Sequence, residues 1–203
     1  MIALIDYRAG NLTSVRKALT ALGSTFFTPS APGDLADVTA VIVPGVGHFS
    51  STANMDEPWR AAILARVTAG APMLGICVGM QWLFEGSEEA PDCPGIGLMA
   101  GRCARLAGDA AHRIKVPHVG WNALAPPAGA RSRLLDGVAP GSQVYFTHSY
   151  APPVTADCVA ATTHGQPFAA AVERDRVYGV QFHPEKSSDV GLRILRNFLE
   201  ACR

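Results

Sequence analysis

The sequence predicts an α/β fold: an open, mostly parallel, twisted sheet with helices on both faces, and a smaller antiparallel β portion in the second half. Three observations carry this. Short apolar, β-branched runs alternate with amphipathic helical patterns through the first 80 or so residues. One of those runs ends in Gly75-Ile76-Cys77-Val78-Gly79, a strand entering a tight turn and then a helix. Beyond residue 96 the helical period gives way to repeated short β-like runs. A βαβαβ order brings its strands parallel, because each crossover helix returns the chain to the same sheet edge.

The elements follow in order. Residues 2–6 read as a buried strand. Asn11 is placed to cap a helix whose Leu12, Val15, Leu19 and Leu22 share one face, and Gly23 ends it. A short strand is expected over 24–28. Residues 38–43 form another apolar run, halted by Pro44-Gly45. Asp56 caps the next helix, with Pro58 in its first turn and Trp59, Ile63 and Val67 on one face. Gly70 and Pro72 stop it before the strand that leads to Cys77. Residues 86–95, polar and rich in Gly and Pro, read as a surface loop. β-like runs are expected at 97–106, 113–116, 144–147 and 168–172. Arg174-Asp175-Arg176 reads as a hairpin turn into a run over 177–183. A last helix, capped by Ser187 or Ser188, sets Leu192, Leu195 and Leu199 inward. Residues 125–130 make a Pro/Gly/Ala loop, so residues 1–203 are expected to form one domain.

Bulk properties narrow the function classes. The chain has 203 residues, 48% of them hydrophobic, and 17 basic side chains balance 17 acidic ones. Such neutrality gives no field for nucleic acid or a membrane surface. The start, Met1-Ile2-Ala3-Leu4-Ile5-Asp6, lacks the basic segment of a secretion signal. No apolar run reaches the ~20 residues that span a bilayer. The five cysteines lack CxxC spacing. No metal and no cofactor are expected, and a reducing cytoplasm fits.

The chemistry centres on Cys77. Most cysteines are inert core residues, but glycines two positions to either side relieve the crowding of a sharp turn. The turn exposes sulfur at the carboxyl end of a strand, next to a helix N-terminus. Its base is expected in Gln181-Phe182-His183-Pro184-Glu185. In an extended chain positions i and i+2 point the same way, so His183 and Glu185 can face Cys77 together. The imidazole would take the thiol proton and the carboxylate would orient the ring. His118 and His148 lack a neighbouring acid and rank below His183. Pro44-Gly45-Val46-Gly47 is either a plain turn or a strand that aims the Val46 N–H at a developing oxyanion, with Val78 N–H as second donor. Trp121 is either a cap on the core or an exposed anchor.

The segments around Cys77 and His183 resemble the triad class of glutamine amidotransferases. Four more narrow the likeness: Ile5-Asp6-Tyr7 with Gly10-Asn11-Leu12, Pro44-Gly45-Val46-Gly47, Pro117-His118-Val119-Gly120-Trp121-Asn122, and Gln181 through Ser187. Together they resemble the glutaminase subunits of imidazole glycerol phosphate synthase, over the whole chain. Two positions depart from the family pattern: Arg8 where glycine is usual, and Thr147 where an apolar β-branched residue is usual.

The resemblance implies a division of labour. This subunit would hydrolyse glutamine to glutamate and ammonia through a Cys77 thioester. A (β/α)₈-barrel cyclase would join the ammonia to a phosphoribulosyl formimino aminoimidazole carboxamide nucleotide, giving imidazole glycerol phosphate and aminoimidazole carboxamide ribotide. Gly47, Gln81, His148 and Ser149 would bind glutamine. Asn11, Trp121 and Lys186 would meet the cyclase in a heterodimer. The readings held against this are a glutaminase subunit of another biosynthetic pathway, a stand-alone cysteine peptidase or γ-glutamyl hydrolase, and a non-catalytic interaction subunit.

Overall fold

The computed structural model describes residues 1–9 and 12–203. The first half holds β1 (Ile2–Leu4), α1 (Leu12–Ala21), β2 (Phe26–Phe27), β3 (Ala40–Gly45), α2 (Glu57–Thr68), β4 (Met73–Cys77) and α3 (Val78–Leu83). The second holds β5 (Gly86–Ser87), β6 (Ala90–Pro94), β7 (Arg102–Arg105), β8 (His118–Ala123), β9 (Gln143–His148), β10 (Tyr150–Ala151), β11 (Cys158–His164), β12 (Gln166–Arg174), β13 (Val177–Val180) and α4 (Ser188–Ala201).

Seven strands form the main sheet in the order β11-β12-β13-β4-β3-β1-β2. The run from β13 to β2 is parallel; β11 and β12 add an antiparallel edge. The central strands β1, β3 and β4 are buried along their whole length. That is why they read as continuous apolar runs rather than alternating ones. The expected mostly parallel α/β fold is the one observed.

Local signals act where expected. Asp56 accepts from Trp59 N at the start of α2, and Ile63 is the fully buried residue of that helix. Gly23 ends α1 with a left-handed φ of 69°. Asp175-Arg176 joins β12 to β13, with Arg174 opposite Val177. Asn11 lies outside the described residues.

Four expectations change. Residues 86–95 are not a plain loop: β5 and β6 join β7 and β10 in a small sheet. Pro91 and Pro94 fit because β6 is the edge strand, where a missing N–H costs no ladder bond. Residues 113–116 are not a strand. The Asp109 carboxylate accepts from Ala111 N and His112 N and closes a tight turn, leaving one bridge between Asp109 and Ile114. The run 97–106 shortens to Arg102–Arg105, since Gly97 and Gly101 both take positive φ. In α4 the inner face is led by Ile194, Leu195 and Phe198, with Leu192 and Leu199 half-buried beside them. Strands β8 and β11 were not among the expected runs. No helix among the described residues is long and apolar enough to cross a membrane.

Candidate active site

The site forms where β3, β4 and β13 end side by side. Gly45 on β3 pairs with Cys77 on β4, and Val180 on β13 pairs with Ile76. Cys77 therefore closes its strand between two parallel neighbours, one ending level with it and the other one residue short of it.

Cys77 has φ 54° and ψ −110°, a conformation that favours glycine. Holding a cysteine there costs about 1–3 kcal/mol, so the surroundings must fix it. They do so by close approach. A Cβ on Gly79 would run into the Val43 carbonyl oxygen, and one on Gly75 would sit 2.5 Å from the Gly79 oxygen. The two glycines let α3 press onto β3 and β4, and the bend between them is forced onto Cys77. Val78 N–H, the first of α3, follows the sulfur directly.

His183 arrives two residues after Gln181 at the end of β13. Its N–H donates to Tyr145 O at 2.9 Å. Its Nδ1 lies 2.8 Å from Glu185 Oε1, and both side chains are almost wholly buried, at 2% and 4% exposure. A carboxylate can only accept, so Nδ1 carries the proton and Nε2 is left as the basic nitrogen available to Cys77. Burial alone would lower the imidazole pKa. The Cys77 sulfur and the Glu185 carboxylate reverse this and hold it well above its ordinary value.

The pairing is reached differently from the extended chain expected. Pro184–Lys186 form a 3-10 turn, with Lys186 N donating to His183 O. Pro184 starts the turn with its fixed φ, and the turn carries Glu185 back under the imidazole. Ser187 is not a helix cap by its side chain. Its Oγ donates to His183 O at 2.6 Å and accepts from Tyr145 N at 2.9 Å, tying the His183 loop to β9.

Val46 and Gly47 follow Gly45 directly, so the glycine strand lies beside the sulfur. Val46 lines a narrow crevice with Pro44, Gly45, Ile76, His183 and Glu185. Its volume of about 10 Å³ is about one water molecule's worth. Gly47 takes φ 92°, and its exposure leaves that peptide free of packing. Tyr7, quoted within the first motif, had no role assigned to it from the sequence. Its buried hydroxyl has no hydrogen-bond partner among the described residues and packs where a Cβ on Gly45 would sit. Burial and the nearby Cys77 push that phenol far above its ordinary pKa.

The expected glutamine-binding residues divide. Gln81 is buried, its Nε2 donating to Tyr150 O at 2.8 Å and Gln181 Oε1 at 3.1 Å, while Oε1 has no partner among the described residues. His148 is buried, and both of its ring nitrogens are engaged inside the protein. Nδ1 donates to Tyr150 O at 2.9 Å, so Nε2 accepts from His118 Nδ1 at 3.1 Å. Burial pushes the pKa of His118 down to about 4 and that of His148 to about 3, so the pair is neutral at pH 7. Ser149 is half-buried between β9 and β10, its carbonyl accepting from Leu106 N.

Trp121 stands exposed and does not cap the core. It is 54% exposed, alternates with the 57% exposed Val119, and meets Tyr145 edge-on across the β8–β9 pair. Tyr145 is also the residue whose backbone holds His183, so this apolar ribbon is tied to the triad loop. Lys186 is exposed next to Glu185.

The profile of the family described as glutamine amidotransferase class-I matches residues 3–202. A Deinococcus radiodurans protein named imidazole glycerol phosphate synthase subunit HisH is 44% identical over 97% of this chain and 92% of its own. A protein of the same name from Gloeobacter violaceus is 46% identical over 98% of this chain and 88% of its own. In three dimensions a crystal structure of a glutamine amidotransferase superposes with a TM-score of 0.75 at 20% identity, covering 100% of this chain and 99% of that one. That likeness concerns the fold.

Proposed function

The chain belongs to the class-I glutamine amidotransferase family, and we propose that it is the glutaminase subunit of an imidazole glycerol phosphate synthase, acting in histidine biosynthesis with Cys77, His183 and Glu185 as its catalytic triad. The observation that carries the triad is the buried His183–Glu185 pair, set in register with a cysteine held in a strained turn.

The reaction follows from those positions. His183 Nε2 takes the Cys77 proton, and Sγ attacks the glutamine side-chain carbonyl carbon. The C=O pair moves onto oxygen, which Val78 N–H and a rotated Val46 N–H receive. When the carbonyl re-forms, the C–N bond breaks. The departing nitrogen takes the proton from His183 and leaves as ammonia, and a γ-glutamyl thioester remains on Cys77. Water, deprotonated by His183, then displaces the sulfur and releases glutamate. Glu185 stabilises the imidazolium in both halves. Rotation of the Val46 peptide, with glycine on either side, is the step a partner would control.

Ammonia goes to a cyclase subunit of (β/α)₈-barrel fold in a heterodimer. The cyclase is proposed to cover the edge carrying Trp121 and Lys186, because the triad opens at the carboxyl ends of the parallel strands; Asn11, the third residue proposed to meet it, lies outside the described residues. Gly47, Gln81 through its free Oε1, and Ser149 are the residues proposed to meet glutamine. We place the protein in the cytoplasm, where its five free thiols persist. The test is glutamine hydrolysis by the wild type and Cys77→Ala, with and without the cyclase and its nucleotide substrate. Cyclase-stimulated turnover that Cys77→Ala abolishes supports the reading. Turnover by Cys77→Ala overturns the nucleophile, and indifference to the cyclase favours a glutaminase of another pathway.

A further inference from the structure

We infer that Gln181 is a second hydrogen-bond donor to the reacting sulfur and that Gln81 positions it; this rests on Cys77 being the nucleophile. Parallel pairing of β13 with β4 puts Val180 opposite Ile76, which brings Gln181 beside Cys77. The Gln181 side chain is wholly buried, and its Nε2 lies 3.7 Å from Cys77 Sγ. That is hydrogen-bonding reach for an atom as large as sulfur.

A carboxamide has a donor end and an acceptor end, and nothing within Gln181 decides which end meets the sulfur. The decision comes from a backbone carbonyl. Tyr150 O can only accept, and it takes a hydrogen bond from Gln81 Nε2 at 2.8 Å. The other proton of that nitrogen goes to Gln181 Oε1 at 3.1 Å. With its oxygen so engaged, Gln181 turns N–H to the sulfur. His148 Nδ1 donates to the same Tyr150 carbonyl from the other side at 2.9 Å and helps fix it. Reversing Gln81 would set its oxygen against two acceptors, Tyr150 O and Gln181 Oε1. The polarity of the chain is therefore locked from one end to the other.

The sulfur is negative at two moments: once His183 has taken its proton, and again when water displaces it from the thioester. An N–H donor on a negative sulfur is a charge-assisted bond. It stabilises the thiolate–imidazolium pair and the departing thiolate, and it holds Sγ in place between His183 and the β13 side. His183 moves the proton, and Gln181 steadies the charge left behind.

The test measures glutamine hydrolysis in the assembled synthase for Gln181→Met, Gln181→Glu, Gln81→Met and the double variant, with Cys77→Ala alongside. Gln181→Met keeps the length and loses the donor. Gln181→Glu keeps the shape and the contact with Gln81 but sets a carboxylate against the sulfur. The expected result is a kcat lower by about tenfold in Gln181→Met, with KM changed less than about twofold. Gln181→Glu falls further. In kcat, Gln81→Met costs less on its own and adds nothing to Gln181→Met, because there it acts through Gln181, while loss of its proposed contact with glutamine raises KM. A role in packing alone predicts the opposite order, since Glu is the closer isostere. Synthesis from added ammonia and unchanged melting confirm that each variant is folded and assembled. Wild-type kcat in Gln181→Met, or Gln181→Glu outperforming it, overturns the inference. If Cys77→Ala turns over glutamine, the nucleophile reading itself has failed. If Cys77→Ala is inert while both Gln181 variants match wild type, only the role of Gln181 has failed.

Discussion

Replacing Cys77 by glycine should give a more stable protein than replacing it by alanine. In ordinary strands and helices the order is reversed: alanine is better by roughly 0.5–1 kcal/mol, because glycine has more freedom to lose. At position 77 the backbone sits at φ 54° and ψ −110°, where a Cβ is strained. That strain is of order 1–3 kcal/mol. Alanine keeps all of it and glycine none. Both variants lose the same thiol, so burial of the sulfur cancels in the comparison. Subtracting glycine's entropy cost of about 0.4–1 kcal/mol leaves it ahead by roughly 0.5–2 kcal/mol. In a domain of this size each kcal/mol moves the melting midpoint by about 2–4 °C. Cys77→Gly should therefore melt about 1–8 °C above Cys77→Ala, in calorimetry on the reversible transition, with neither hydrolysing glutamine. An alanine variant melting level with or above the glycine variant would show that the turn stores no strain, and the argument linking Gly75, Gly79 and Cys77 would fall.

Other consequences follow from the same geometry. His183→Asn should cost glutamine turnover on the order of 10²–10⁴-fold, and more than Glu185→Gln, because the imidazole moves the proton and the carboxylate only orients it; equal damage from His118→Asn would misplace the base. Stability should fall in mild acid. His118 and His148 have folded pKa values near 4 and near 3, below the ordinary 6.5. As pH drops below about 6.5 the unfolded chain takes up protons that the folded chain refuses, so urea midpoints should decline towards about pH 4 and more gently beyond. A His148→Leu variant that declines just as steeply would refute this linkage. Trp121→Ala and Lys186→Ala should lower nucleotide-stimulated, glutamine-dependent synthesis and leave synthesis from added ammonia unchanged. With Trp121 54% exposed, its loss should move the melting midpoint little; full ammonia transfer in both variants would place the docking face elsewhere.

Much of the site was legible because its signals are local. A Gly-x-Cys-x-Gly turn writes its steric demand into five consecutive residues, and the structure supplies the atoms that would clash, Val43 O and Gly79 O. The His183–Glu185 spacing was equally readable, although the route was not. Pro184 starts a 3-10 turn rather than an extended step, and a pattern of two cannot tell those apart. Ser187 does stand at the N-cap of α4, but its hydroxyl bonds elsewhere. A serine before a helix looks like a cap, and only the fold reveals that β9 lies near enough for its hydroxyl to clamp Tyr145 and His183.

By itself the sequence determined the parallel α/β order and the family, and it singled out Cys77, His183 and Glu185 as the candidate triad, because continuous apolar runs, glycine spacing and motif residues act over a few neighbours. Only the tertiary structure decided how the strands lie against one another. Register puts Gln181 beside Cys77 and Gly45 on its other flank, and a pairing of two strands depends on both at once. It likewise engaged both ring nitrogens of His148, since its partners come from β8 and β10. It turned Trp121 outward, since a β-strand gives alternate residues to opposite faces and only the neighbouring layer fixes which face is wet.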